Sequence, residues 1–460
     1  MGRRFRHPTL RSLAVAGLAL FPLAAQGSRD DLRDRVELKG GEVLRGRVAQ
    51  RFEPESIELD VGGRRREVPR AKILRFDTVD DALAAFLDLR RTGLTLAAEW
   101  TLAETAQSMG LDAIARLQAY HVLLRDPDHG PAHAMLGHTG SPGKWRWQWE
   151  GTSVPASSIP AKTLGHRFTL RSEHFVLESR GGLRAAVDTL FDLERTYTAF
   201  WRELGAEIRP RAVFSPITVQ VHGSLRDMPK LSTTVAEPYC DPTARGDGVV
   251  TTYQEGTMEH PARLVAVTIE ELLYRTLLDP KATLPTSLDR RFAPWIEVGL
   301  GRYFESRGQG RPGYLRFGDV KLDRVLAAQV LNYRPYGLEN FVHVAFTAFH
   351  EDDVVAPFHF AHAAMLVTYL MEPKATAGRP PVPVRPRFLE YVRLCFHEGK
   401  GNSSSTLDSA LGKEIGRVEN LETPWIQWLA AAAGQPAVRK KHLLRPRRSV
   451  RDLVFPGVIR

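Results

Sequence analysis

Cysteine is nearly absent from this 460-residue chain, which carries only Cys240 and Cys395. Two cysteines exclude a four-cysteine zinc site and a dense disulfide framework. They leave open one Cys240–Cys395 disulfide or two buried thiols. Long apolar runs are missing too, since none reaches the roughly 18 residues of a membrane-spanning helix. There is no Gly-x-Ser-x-Gly elbow, no phosphate-cradling glycine loop and no dinucleotide fingerprint, so those enzyme classes have no support. What is present is ordinary for a globular protein, with 43% hydrophobic and 25% charged residues.

The formal net charge of +10 invites an anionic partner, nucleic acid included. Its distribution argues otherwise. Residues 1–27 hold Arg3, Arg4, Arg6 and Arg11 with no acid, and residues 439–460 hold eight basic residues against Asp452. The body between them, residues 28–438, is close to neutral at −1. The first basic group precedes an apolar stretch, Leu13 to Ala25, and then Ala25-Gln26-Gly27, a small-x-small cleavage pattern. This predicts a signal peptide over 1–27 and an exported protein, periplasmic or secreted, with an uncleaved anchor as the alternative. Export and a neutral body both disfavour nucleic acid. The second group follows Gly434-Gln435-Pro436 and predicts a basic tail over 433–460, either simply solvated or in contact with an anionic surface.

The pattern between the ends predicts an α+β, multidomain chain. Residues 35–78 alternate with period 2 (Val36/Leu38, Leu44/Val48, Ile57/Leu59/Val61, Ile73) between Gly and Pro punctuation, which predicts five short strands in a small SH3-like barrel. Residues 79–138 turn helical, and Tyr120 to Gly137 resembles one tetratricopeptide-like helical hairpin. His129, His133 and His138 could form a metal cluster there, but an Asp-Pro turn between helices explains the same residues. A linker over 139–164 carries Trp145, Trp147 and Trp149 at alternate positions, an aromatic strand face expected to bury against its neighbour.

The main domain is expected over 165–432. Strand material at 166–179 is followed by an amphipathic helix from Leu183, strands at 217–222 and 248–253, and a strongly helical segment from Ala262 to Leu278. A proline-led helix, Pro294 to Ser306, then carries Trp295 and Gly299-Leu300-Gly301-Arg302-Tyr303. Further helices hold His359 to Leu370, and Trp425 with Trp428. This order and these motifs resemble the gluzincin zinc metallopeptidases, especially the peptidase-MA-like domains of exported bacterial proteins.

The resemblance implies His-Glu-x-x-His on the long helix, because two histidines at i and i+4 share a face and can reach one zinc ion. It also implies a Glu as third ligand on the next helix, just before its Gly. Here the first motif falls on Glu270, Glu271 and Tyr274, and the third-ligand position is Val298. Both histidines and the third carboxylate are replaced. Glu271 keeps the general-base position, and Glu270 is the sole relict ligand position able to bind a metal. Glu297 is one residue early, a helical step of about 100° that is expected to turn it away.

No cofactor is therefore expected, and zinc would return only if this reading of a degenerate site were wrong. The expected function is a non-catalytic binding or scaffold protein with a protein, peptide or glycan partner in the envelope. The alternative is a hydrolase with a rearranged site, using Glu271 with His359 or His362. A gathering of Glu270, Glu271, Glu297 and Glu305 is weighed against pairing with Arg275, Arg290 and Arg302.

Overall fold

Period-2 alternation in the N-terminal unit is realised as five antiparallel strands: β1 (Asp34–Leu38), β2 (Val43–Gln50), β3 (Ser56–Val61), β4 (Arg64–Pro69) and β5 (Ile73–Asp77). A computed structural model describes residues 34–222, 239–241, 249–253, 261–277, 293–333, 337–344, 349, 356–372, 384–397 and 404–435. The expected signal peptide, Arg290 and the tail beyond residue 435 lie outside the described residues.

The strand order is β4-β3-β2-β1-β5. The expected barrel is not closed: β4 pairs only with β3 and β5 only with β1, with the 3-10 turn Arg70–Lys72 between them in the chain. Val36, Leu44, Val48, Ile57, Leu59 and Val68 form a small core of their own. Gly46 is required here, since a Cβ would lie 2.1 Å from the Asp60 carbonyl oxygen of the crossing strand.

Helices follow: α1 (Val79–Leu89), α2 (Leu96–Ser108), α3 (Asp112–Leu123) and α4 (Gly130–Met135). The Trp-rich linker forms a hairpin, β6 (Arg146–Trp149) and β7 (Thr152–Pro155), leading into α5 (Ile159–Thr163). The second sheet contains β8 (Leu164–Arg171), β9 (Phe175–Gly181), β10 (Ile217–His222), β11 (Tyr239–Asp241) and β12 (Val249–Tyr253) in the order β11-β12-β10-β9-β8. Its centre, β9-β10-β12, is parallel, and both outer pairings are antiparallel.

The crossover from β9 to β10 is α6 (Leu183–Ile208), which buries residues on nearly every turn and forms the spine of the molecule. Beyond the sheet come α7 (Pro261–Leu277), α8 (Pro294–Arg307), the two-residue strands β13 (Gly308–Gln309) and β14 (Arg316–Phe317), α9 (Arg324–Asn332) and α10 (Leu338–Phe341). The last helices are α11 (Ala356–Met371), α12 (Val384–His397), α13 (Ser404–Ile415) and α14 (Glu422–Ala432). No helix among the described residues is long and apolar enough to cross a membrane.

One apolar cluster runs from Leu83 in α1 to Leu429 in α14, so the helical hairpin region and the main unit share a core. The small sheet docks on the end of α6. Phe52 stacks on Trp201, with ring centroids 5.5 Å apart, and fills the space beside Gly205. Gln50 donates to the Arg209 carbonyl at 2.8 Å, and Ala212 N–H to the Ala49 carbonyl at 2.9 Å. Cys395, on α12, is a free buried thiol rather than one half of a bridge, and burial pushes its pKa up to about 12. The side chain of Cys240 lies outside the described residues.

Candidate functional site

The positions that the metallopeptidase resemblance singles out lie on two tightly crossed helices, α7 and α8. Gly299 and Gly301 set the approach: a Cβ on Gly301 would lie 2.8 Å from the Ala266 carbonyl oxygen of α7. One on Gly299 would lie 2.8 Å from the Ala363 carbonyl oxygen of α11. The Gly-Leu-Gly of α8 is thus explained by packing between three helices. Trp295 is fully buried and stacks on Tyr391, and the Tyr303 hydroxyl donates to Glu372 at 2.9 Å.

Three polar side chains where α7 meets α8 are paired with neighbours. Glu271 is buried and accepts from Arg275, one turn on, at 2.8 Å. The Tyr274 hydroxyl donates to the Glu297 carboxylate. The expectation that one helical step turns Glu297 away is therefore corrected, because α7 crosses α8 on the side that Glu297 occupies. Val298 is buried among apolar neighbours, and Glu270 is half-buried. Glu305 pairs with Arg302 at 2.7 Å, so Glu271, Glu297 and Glu305 each have a different partner.

This donor set does not fit a zinc ion. Val298 has no lone pair, Tyr274 is engaged by Glu297, and the Glu271 carboxylate is held by a guanidinium. Among the described residues no three His, Cys, Asp or Glu side chains are grouped to hold a metal. His359 and His362 share a face of α11, and that face meets aromatic rings. His362 stacks between Phe341 and Trp425, with centroids at 3.8 and 4.8 Å, and His359 lies 5.2 Å from the Phe349 ring.

The other histidine cluster is also spoken for. His129 caps α4 by accepting from Ala132 N–H at 3.2 Å, and His133 and His138 are hydrogen-bonded Nδ1 to Nδ1 at 2.7 Å. The linker tryptophans close over them. Trp145 stacks on His133 at 4.5 Å, and Trp147 packs on His138 and Tyr120.

Sequence reasoning missed two buried polar centres. His174 sits in the β8–β9 turn, fully buried, with Nδ1 2.8 Å from Glu194 of α6 and Nε2 3.0 Å from Asp80 of α1. Its ring stacks on Tyr197 at 3.6 Å. Burial alone would lower the imidazolium pKa, but the Glu194 carboxylate and the hydrogen bonds to Asp80 and Glu194 outweigh it and raise it to about 9. The signal was available as Glu173-His174 between two apolar strands and as Glu194 on the buried face of α6.

The second centre surrounds Arg90, the C-cap of α1. Its guanidinium lies 3.6 Å from the Phe191 ring centre and 4.3 Å from that of Tyr314, donates to Gln118 at 3.1 Å and also donates to the Gly313 carbonyl. Beside it Asp192 accepts from Gly313 and Leu315 N–H at 2.8 and 2.9 Å. Burial still pushes that carboxyl up to about 7. Both centres pin α1 to α6. No protein-family model matches the chain, and no curated protein matches it.

Proposed function

We propose that this is an exported, metallopeptidase-like protein that binds a protein, peptide or glycan of the cell envelope and does not hydrolyse it. The observation that carries the reading is the pairing at the relict positions. Where the gluzincin mechanism needs a zinc-bound water beside a free Glu, Glu271 is bound to Arg275 and the neighbouring Tyr274 to Glu297. A carboxylate held by a guanidinium is a weaker base, because the cation stabilises its charged form. The resemblance to exported peptidase-MA-like domains and the expected signal peptide support the envelope as the place of action. The basic tail supports an additional contact with an anionic surface there.

Casein hydrolysis tests the catalytic half of the proposal. The purified protein and its Glu271→Gln variant are expected to release peptides at the same background rate, with and without added zinc. Hydrolysis that is lost in Glu271→Gln would establish the enzyme reading instead.

A further inference from the structure

Between the end of α6 and the start of β10 the chain runs as a short strap, residues 209–214, bonded both to the small sheet and to α7. Toward the sheet, the Arg209 carbonyl accepts from Gln50 Nε2 at 2.8 Å and Ala212 N–H donates to the Ala49 carbonyl at 2.9 Å. Arg47 donates to the carbonyls of Val213 and Phe214. Arg211 N–H, next to Ala212, donates instead to the Thr276 carbonyl at 2.8 Å. Thr276 is the penultimate residue of α7, where a helix carbonyl has no partner within its own helix. The strap therefore satisfies the end of the helix that carries Glu271 and Tyr274.

The strap also starts in a strained conformation. Arg209 ends α6 at φ +49°, in the left-handed region that a residue with a Cβ avoids. Such strain persists only where the surroundings hold it. Here the small sheet does so, through Gln50 on the Arg209 carbonyl and Glu53, which pairs with the Arg209 guanidinium at 3.1 Å. Moving the sheet away would release the strain together with the contacts that hold Arg211 against α7. We propose that this strap is a conformational coupler, through which displacement of the small sheet loosens the last turn of α7. A coupling of this kind is reciprocal, so loosening of α7 also weakens docking of the sheet. It goes beyond the proposed function, since it holds whether or not the α7–α8 face is catalytic.

Amide hydrogen exchange of the purified protein tests the coupling. In Gln50→Ala, exchange is expected to rise about tenfold in the strap and in residues 273–277 of α7, and to stay unchanged in α3. In the unsubstituted protein, the Arg211 amide and those of 273–277 should open with one free energy and one urea dependence. Faster exchange in the strap with α7 unmoved, no change in the strap, or an equal rise in α3 would overturn the proposal. If Gln50→Ala fails to fold, the unsubstituted protein decides alone: a shared opening supports the coupler, and separate openings overturn it.

Discussion

Replacing Glu194 with alanine is expected to destabilise the protein by about 3–5 kcal/mol, because it removes one of two counter-charges from a buried imidazolium. Glu194 is fully buried, and its two carboxylate oxygens accept from the His174 backbone N–H and ring Nδ1, both at 2.8 Å. The variant strips both contacts and leaves the backbone donor unsatisfied as well. Urea unfolding of wild type and variant checks the magnitude. A loss below about 1 kcal/mol would mean that His174 is neutral in the folded state.

The same group gives the pH dependence a sign. The His174 pKa rises from its ordinary 6.5 to about 9 on folding, so the folded chain holds a proton that the unfolded chain has released. Its stabilisation is complete below pH 6.5 and is lost as pH rises through 9, at up to about 1.4 kcal/mol per unit. Burial also raises Glu173, next to Glu194, and Asp192, each to about 7, and these carry the same sign over a lower range. Between pH 8 and 9 the slope therefore belongs mainly to His174, and Glu194→Gln is expected to flatten it.

Arg90→Met is the second large effect, expected at about 3–5 kcal/mol. Methionine keeps much of the aliphatic contact with Phe191 and Tyr314 but abandons the Gly313 carbonyl and the Gln118 side chain in a buried site. It also removes a cation whose charge acts on Asp188 and Asp192. The Arg90 backbone carbonyl still accepts from Arg195 at 2.7 Å, so the turn itself is retained and the loss is assigned to the guanidinium. A loss confined to a few tenths of a kcal/mol in urea unfolding would show that the aromatic sandwich alone secures α1.

These two centres mark the limit of what the chain discloses in one dimension. Segments with strong periodicity were legible: α6 from Leu183, β10 at Ile217–His222, and α8 with its leading Pro294 and its glycines. The five short strands near the N-terminus were legible as strands, whereas closure into a barrel depends on a β4–β5 pairing that no local pattern encodes. At the candidate site, the mismatch with the zinc motif was readable residue by residue, since Val298 cannot ligate whatever surrounds it. The partner of Glu297 was not. Which side of α8 meets α7 is set by the crossing of two helices, and Tyr274 lies 23 positions away. The His174 centre draws Glu194 from 20 positions away and Asp80 from 94, distances over which periodicity is silent.

Two glycines now carry a meaning different from the one the resemblance implies. In a working metallopeptidase the Gly after the third ligand belongs to the metal site's helix. Here Gly299 and Gly301 are held by the closeness of the Ala363 and Ala266 carbonyl groups. Packing thus gives both glycines a role that does not depend on metal binding. Beside them, Glu271 is paired with Arg275 and Tyr274 with Glu297.

Zinc stoichiometry of the purified protein tests the central claim most directly. After dialysis against micromolar zinc and removal of the free ion, metal analysis is expected to find well below one zinc per chain, with no change in unfolding temperature on adding zinc or a chelator. One tightly held zinc per chain that disappears in Glu270→Ala would contradict the account.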